Sequence, residues 1–439
     1  MSFMLLGILN SQAAGGVAAS YWMATLGGSS SDSLEDIAFD SDNNSYTFGW
    51  SNSTSPTGFS LVKRDPDGAI QWQRALGASG SQYGYSVAVD SLDRIFVLGR
   101  TDATNGSEIP DFLIARYDSS GTLAWQRTLG SGNYGYASSI AIDSNNVIYA
   151  FGNAEVSGQG SQFVLAQYNS SGSPIWQRQL GGSGTEEGYA VAIDSADAIY
   201  VAGNTSSTGA GGRDALIAKY NSSGTIQWQR VLGGAGTEGR NDAGLVTDSS
   251  NNVYYCGYTD STGAGSTDIL IAKYNSSGTL QWQRVLGNSS ANYASKVAID
   301  SEGNIYVAGY TSNNGTVAKY DSSGTIQWQR EIDTSSNAVL FNSLNIDSND
   351  SVYLVGYTNA AGVASDEQFV AKVPNDGSLI GTYVLDGVNF NYQATGFTSS
   401  TSSLTPATSS LTSSSISLSA QPGTHTSSSA SLTQYLVEL

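Results

Sequence analysis

The tripeptide Trp-Gln-Arg recurs at Trp72, Trp125, Trp176, Trp228, Trp282 and Trp328, with a worn copy at Tyr21-Trp22-Met23-Ala24-Thr25-Leu26-Gly27. Successive tryptophans lie 50, 53, 51, 52, 54 and 46 residues apart. Such a period means that one supersecondary unit is copied along the chain. A unit of about fifty residues built from short strands is a β-propeller blade. Blades bury their cores against one another, so all 439 residues can belong to one ring.

Each repeat contains four strand-like runs rich in Val, Ile, Tyr and Trp and bounded by Asn, Asp, Ser and Gly. In one copy they are 190–195, 198–203, 215–220 and 225–230. The first run ends in Asp-Ser, which suits a turn whose carboxylate caps nearby backbone N–H groups. Asp-Ser-Ser-Gly and Asn-Ser-Ser-Gly place glycine where the turn before the last strand needs positive φ. The first strand has one small face, so we place it innermost, where blades converge. Trp228 and Arg230 share a face of the last strand. We place that strand outermost, its tryptophan over the gap between diverging blades and its arginine on the ring or on a neighbouring carboxylate.

The first strand with its closing aspartate occurs seven times, at Asp40, Asp90, Asp143, Asp194, Asp248, Asp300 and Asp347. The seventh repeat has no tryptophan-bearing last strand, and the strand around Trp22 is an orphan. Closure of the ring by that strand is the preferred arrangement, because it removes a raw sheet edge. Residues 379–385 are the rival closing strand, with Gly381 at the tryptophan position. The expected fold is therefore all-β, a seven-bladed propeller of four-stranded antiparallel blades with a C-terminal Ser/Thr-rich β extension. The framework tryptophans are Trp22, Trp72, Trp125, Trp176, Trp228, Trp282 and Trp328.

These Trp…Leu-Gly, Ile-Asp-Ser and Ile-Tyr-Val-Ala-Gly segments resemble the bacterial seven-bladed propeller repeat known as the SBBP repeat, over residues 20–375. The resemblance implies a propeller in an extracellular or surface setting and no defined activity. Residues 1–16 resemble the leader of virion proteins from marine cyanobacterial phages, which implies a place in a virus particle.

The formal net charge is −19. It argues against nucleic acid or an anionic membrane as partner, since both need a basic footprint. No apolar stretch reaches the roughly 20 residues that cross a bilayer. Of the eighteen basic residues, all but Arg94, Arg100, Arg213, Arg240 and Lys296 sit at repeated framework positions. The single cysteine, Cys256, excludes an intrachain disulfide and reads as a buried strand residue. His425 is the sole histidine, and it lies in the tail. No catalytic residue, metal site or cofactor is assigned, because zinc and thiol chemistry need His and Cys clusters that the chain lacks. Asp40-Ser41-Asp42-Asn43-Asn44 is the nearest approach to a Ca²⁺ loop and reads as a hairpin turn. Glu186 and Glu187 form an acidic pair on a variable loop, but neighbours in sequence seldom face each other across a cleft.

What remains is a binding surface. Loops from outer to inner strand and from second to third strand share one face and vary most, which is where function usually sits on a fixed scaffold. Tyr83, Tyr136 and Tyr293 lie seven residues before the framework aspartate, Tyr85 and Tyr189 five before, with Tyr134 and Arg240 nearby. These are the candidate rim residues, able to stack on sugar rings or simply to pack at blade edges.

Three regions follow: an N-terminal docking peptide (1–19), the propeller (20–375) and a C-terminal extension for assembly (376–439). Phe3, Leu5, Leu6, Ile8 and Leu9 are the apolar residues of the docking peptide. A secretory signal is the competing reading of that segment, although a basic n-region is missing. The spaced aliphatics of the tail predict β-structure completed by another subunit. The functional expectation is a non-enzymatic phage virion protein, in tail, fibre or capsid. Its expected partners are other virion proteins, a second copy of itself and a host-surface glycan. The alternative is a secreted bacterial adhesin or lectin-like propeller.

Overall fold

The computed structural model describes residues 20–438 except 55–57, 78–80, 102–110, 131–134, 157, 159, 240–242, 335–336, 361–364, 386, 410, 416–418, 423–425 and 430–432, and from 412 onward the backbone only. The docking peptide, Tyr134, Arg240 and His425 thus lie outside the described residues.

Seven antiparallel sheets form a ring, and the innermost strands are Asp32–Phe39, Gln82–Val89, Gly135–Ile142, Glu186–Ile193, Gly244–Thr247, Asn292–Ile299 and Val339–Ile346, in blades 1 to 7. In blade 4 the order outward is Glu186–Ile193, Ile199–Thr205, Asp214–Tyr220 and Ile226–Gly233. Blade 7 takes its fourth strand from the other end of the chain. Trp22–Gly27 pairs with Glu367–Val373, and Trp22 is fully buried. The rival segment instead forms a hairpin, Gly381–Leu385 with Val388–Ala394, that extends blade 6 outward.

The Asp turns fold as the residue types dictate. Asp194 Oδ1 accepts the backbone N–H groups of Ala196 and Ala198 at 3.0 and 2.9 Å. Its Oδ2 accepts the Tyr200 hydroxyl and the Lys219 ammonium at 3.1 and 3.3 Å. Asp40 repeats the pattern, so its loop is a hairpin turn. Burial pushes the Asp40 carboxyl up, but hydrogen bonds from Asn44, Lys63 and Tyr46 outweigh it and hold the group below its usual range.

Each triplet tryptophan donates to the following blade, and so do Arg74, Arg178, Arg230, Arg284 and Arg330. Trp228 Nε1 donates to the Ser276 carbonyl oxygen at 3.1 Å, and Arg230 Nε donates to that of Gly278 at 2.7 Å. The guanidinium also lies 5.5 Å from the centre of the Trp228 ring. The arginine thus stacks on the ring, as expected, and its hydrogen bonds go to turn carbonyls rather than to a carboxylate. Glycine is required at 278: φ is +77°, and a Cβ would stand 2.8 Å from the Trp228 ring. The last tryptophan closes the circle, since Trp22 Nε1 donates to the Pro66 carbonyl of blade 1 at 3.2 Å.

The tail departs from expectation. It runs backwards around the ring and adds a strand to every blade: Val388–Ala394 on blade 6, Thr398–Thr401 on blade 5, Thr405–Thr408 on blade 4, Thr412–Ser415 on blade 3, Ser419–Pro422 on blade 2, Thr426–Ser429 on blade 1 and Thr433–Glu438 on blade 7. The tail strands therefore pair with this chain's own outer strands, not with another subunit's. The reason is that an outer strand presents unpaired N–H and C=O groups, and the tail is the nearest segment that can satisfy them. Phe397, Leu404 and Leu411 are buried in the grooves between successive blades. Cys256 is buried in the core between blades 5 and 6.

Candidate functional site at the channel mouth

An antiparallel blade alternates its loops between two faces. The Asp turns and the Ser-Ser-Gly turns lie on one face, which we term the turn face. The outer-to-inner and second-to-third connections lie on the other, and there the central channel opens into a cavity of about 700 Å³.

One irregularity builds this mouth. In six blades the pairing of the innermost strand slips by one residue, at Glu35, Tyr85, Ser138, Tyr189, Ser295 and Asn342. Such a β-bulge leaves the extra residue unpaired and re-aims its side chain. Each bulged residue stands five positions before the framework aspartate, and Ala243 holds that position in blade 5. All seven line the cavity. The mouth is therefore a ring with one residue from each blade, and blades 1, 2, 4 and 7 contribute a carboxylate, two phenols and an amide.

The candidate rim residues separate accordingly. Tyr85, Tyr136 and Tyr189 line the cavity on adjacent blades. Tyr83 lies behind it, 5.8 Å from the Trp50 ring, with the Arg100 guanidinium 5.0 Å from its centroid. Arg100 also lies 5.2 Å from the Tyr136 ring. Tyr293 packs with Tyr258 and Tyr310 at 5.5 and 5.2 Å and is not part of the lining. Sequence reasoning missed Glu35, Ser138, Ser295 and Asn342, because it looked for aromatics. Their shared offset from the aspartate was the available signal.

Charge at the mouth is mostly balanced. Glu186 and Glu187, expected on a loop, open the strand Glu186–Ile193, so they point to opposite sides. Glu186 is buried and accepts from the Thr205 hydroxyl at 2.7 Å and the Gly182 N–H at 3.0 Å. Glu187 lines the cavity and pairs with Arg213. Burial raises the Glu187 carboxyl, but the Arg213 pair and donation from Tyr189 and Asn204 hold it lower than usual. Asp36 pairs with Lys296 at 3.3 Å across the blade 7 position. Arg100, Arg213 and Lys296, three of the five basic residues outside the framework, thus gather at the mouth. Glu35 is different. Burial raises its carboxyl to about 7, against hydrogen bonds from Ser33 and Trp50 that lower it. The Tyr85 hydroxyl is raised to about 12 by burial, with Arg100 lowering it and Glu35 raising it further.

Among the described residues no cluster of three or more His, Cys, Asp or Glu side chains is placed to hold a metal ion. The described residues contain no helix long and apolar enough to cross a membrane, a statement that leaves β-barrels aside.

A repeat-built ring of four-stranded blades with an open mouth defines a β-propeller. The SBBP family profile, described as a β-propeller repeat, matches residues 71–107, 175–209 and 281–315, and a β-propeller domain of unknown function matches residues 198–226. The chain carries SBBP β-propeller repeats. Among curated proteins it is 23% identical over 298 residues to an uncharacterized WD repeat-containing protein of Acanthamoeba polyphaga mimivirus, covering 56% of this chain and 19% of that one. It is 25% identical over 288 residues to the regulatory protein FlaEY of Caulobacter vibrioides, covering 54% and 29%. The chain therefore spans under a third of either relative. Similar solved structures include YCF48 bound to D1 peptide, at 13% identity and a TM-score of 0.49, covering 81% of this chain and 96% of that one. A gluconolactonase from Xanthomonas campestris is similar at 12% identity and a TM-score of 0.35, covering 64% and 84%. Both likenesses are too distant to bear on function.

Proposed function

We propose that this chain is a non-enzymatic structural protein of a phage virion, held in the particle by its terminal segments and presenting the channel mouth to host-surface glycans. The observation that carries this reading is the polarity of the disc. Trp22 pairs with Glu438 on one side and Lys372 on the other. Its indole binds the Pro66 turn, so both ends of the described chain leave blade 7 at the turn face. The cavity opens on the opposite face. A partner bound at the turn face leaves the mouth pointing away from it.

The N-terminal sequence supports attachment. Phe3, Leu5, Leu6, Ile8 and Leu9 offer several apolar side chains to a partner groove. At about 25 cal/mol per Å² they contribute several kcal/mol before ordering costs. The mouth supports glycan recognition because phenol faces stack on sugar rings while amides and carboxylates accept hydroxyl donors.

Two measurements test the reading. Deleting residues 2–16 is expected to abolish incorporation into particles while leaving a folded propeller. Unchanged incorporation, or a mature chain cleaved near Ala14, overturns the virion placement in favour of secretion. On a glycan array, wild-type protein is expected to bind and Tyr85→Ala/Tyr189→Ala to lose at least tenfold in affinity. A blank array overturns glycan recognition.

A further inference from the structure

We propose that the channel mouth selects sugars carrying a free amine, with the ammonium held by the Glu35 carboxylate and the sugar ring laid against Tyr85. This inference rests on the glycan reading above and narrows it.

The argument begins with how Glu35 is held. The bulge at this residue turns its side chain into the cavity. Its Oε1 accepts the Ser33 hydroxyl at 2.8 Å and the Trp50 indole N–H at 3.1 Å. Both donors are neutral, so they fix the carboxylate without cancelling its charge. Among the described residues Oε2 has no hydrogen-bond partner, which leaves one oriented acceptor facing the cavity.

Two of the neighbouring acids are already answered, and Glu155, the third acid of the lining, is exposed to solvent, so Glu35 is the sheltered one. Asp36 has Lys296, and it accepts the Ser86 and Ser343 hydroxyls at 2.7 and 2.9 Å. Glu187 has Arg213. Glu35 has no ion pair among the described residues, and burial disfavours its charged form. A ligand that brings its own positive charge restores that form, because an opposite charge within a few ångström favours ionisation. A hydroxyl or an acetamide at the same place brings a donor but no charge.

Tyr85 supplies the second half of the recognition. It is the corresponding bulged residue of the next blade, and the Glu35 charge acts directly on its hydroxyl. A phenol face beside a carboxylate attracts a cation through both the ring quadrupole and the charge. The cavity of about 700 Å³ falls within the range of roughly 300–1,000 Å³ typical of small-ligand sites.

The experiment uses the full chain and three β-1,4-linked tetrasaccharides that differ at C2 alone: chitosan tetraose, chitin tetraose and cellotetraose. Binding is measured by calorimetry at low salt and mildly acidic pH, for wild type and for Glu35→Gln, with melting curves confirming that the variant folds. Chitosan tetraose is expected to bind at least tenfold more tightly than the other two, and Glu35→Gln to erase that advantage. Equal affinities in wild type, or a preference that survives Glu35→Gln, overturns the amine assignment. Binding confined to glycans without amines on the array overturns it too and leaves the glycan reading standing. Failure of every glycan on the array overturns both.

Discussion

The Gln283 side-chain amide donates to the backbone carbonyl oxygen of Leu404, 2.8 Å away and 121 residues later in sequence. Gln229 holds Leu411, and Gln329 holds Phe397, at the same 2.8 Å. The repeated tripeptide thus divides its labour: Trp and Arg grip the next blade, and Gln grips the tail that circles the ring. A surface strand of Ser and Thr has little apolar area of its own to bury. Its hold depends on backbone pairing, on these glutamines and, in three of the grooves, on the apolar plugs Phe397, Leu404 and Leu411.

The plugs can be weighed. Leu404 and Leu411 are 5% and 8% exposed, each seated between two blades. Removing a buried leucine side chain costs about 2–5 kcal/mol, less where the site collapses. We expect Leu404→Ala and Leu411→Ala each to lower stability by about 2–3 kcal/mol and Gln283→Ala by about 1 kcal/mol, measured by urea unfolding.

Removing the whole belt has a different consequence. Ending the chain after residue 397 uncovers the outer edges of blades 1 to 5 and of blade 7 at once. Open edges of this kind pair with one another between molecules. The truncated protein is expected to keep its far-ultraviolet β signal but to associate in light scattering, at concentrations where the full chain is monodisperse. A truncated protein that scatters like the full chain removes the edge-covering role.

The blades were legible in the sequence because every copy repeats the same local demands: an Asp cap, a Gly at positive φ, a Trp two residues from an Arg. The belt was not, although its signal is present. Phe397, Leu404, Leu411, Leu418, His425 and Leu432 recur every seven residues. One apolar or bulky residue in seven, with Ser and Thr between, is too sparse for the two apolar positions per heptad of a helix and does not alternate like a strand. Here it measures the step from one blade edge to the next along the rim. The mouth was half legible. Tyr85 and Tyr189 stand out as aromatics, but Glu35 and Asn342 look like ordinary strand residues until the bulge turns them inward.

Gly278 offers a clean test of the blade clasp, because Gly303 serves as its control. Both have positive φ, +77° and +82°, but a Cβ at 278 meets the Trp228 ring at 2.8 Å whereas one at 303 meets nothing within 4 Å. Gly303→Ala is expected to cost only the left-handed strain, about 1 kcal/mol. Gly278→Ala should cost a further 1–2 kcal/mol or so, as the ring moves off its partners. Equal losses in thermal unfolding show that the tryptophan is not clamped by the turn.

Glu35 also leaves a mark on the pH dependence of folding. Its carboxyl is raised from 4.5 to about 7 by burial, with Asp36 adding to the rise and Ser33 and Trp50 opposing it. Between those two values the folded state holds more protons than the unfolded state, so stability falls as pH rises. The penalty is absent below 4.5 and complete above 7. A shift of this size corresponds to about 1–3 kcal/mol once solvent screening at a half-buried side chain is allowed for. Glu35→Gln keeps an acceptor for Ser33 and Trp50 and cannot ionise. Relative to wild type it should therefore be more stable by that amount at pH 8 and no more stable at pH 4, where both side chains are neutral. Other acids, such as Asp32 and Glu238, are raised as well, but they are common to both proteins and cancel in the difference. A variant that loses at pH 8 places the Glu35 carboxylate in contact with a compensating charge, and one that gains equally at both values removes the Glu35 titration from the folding balance.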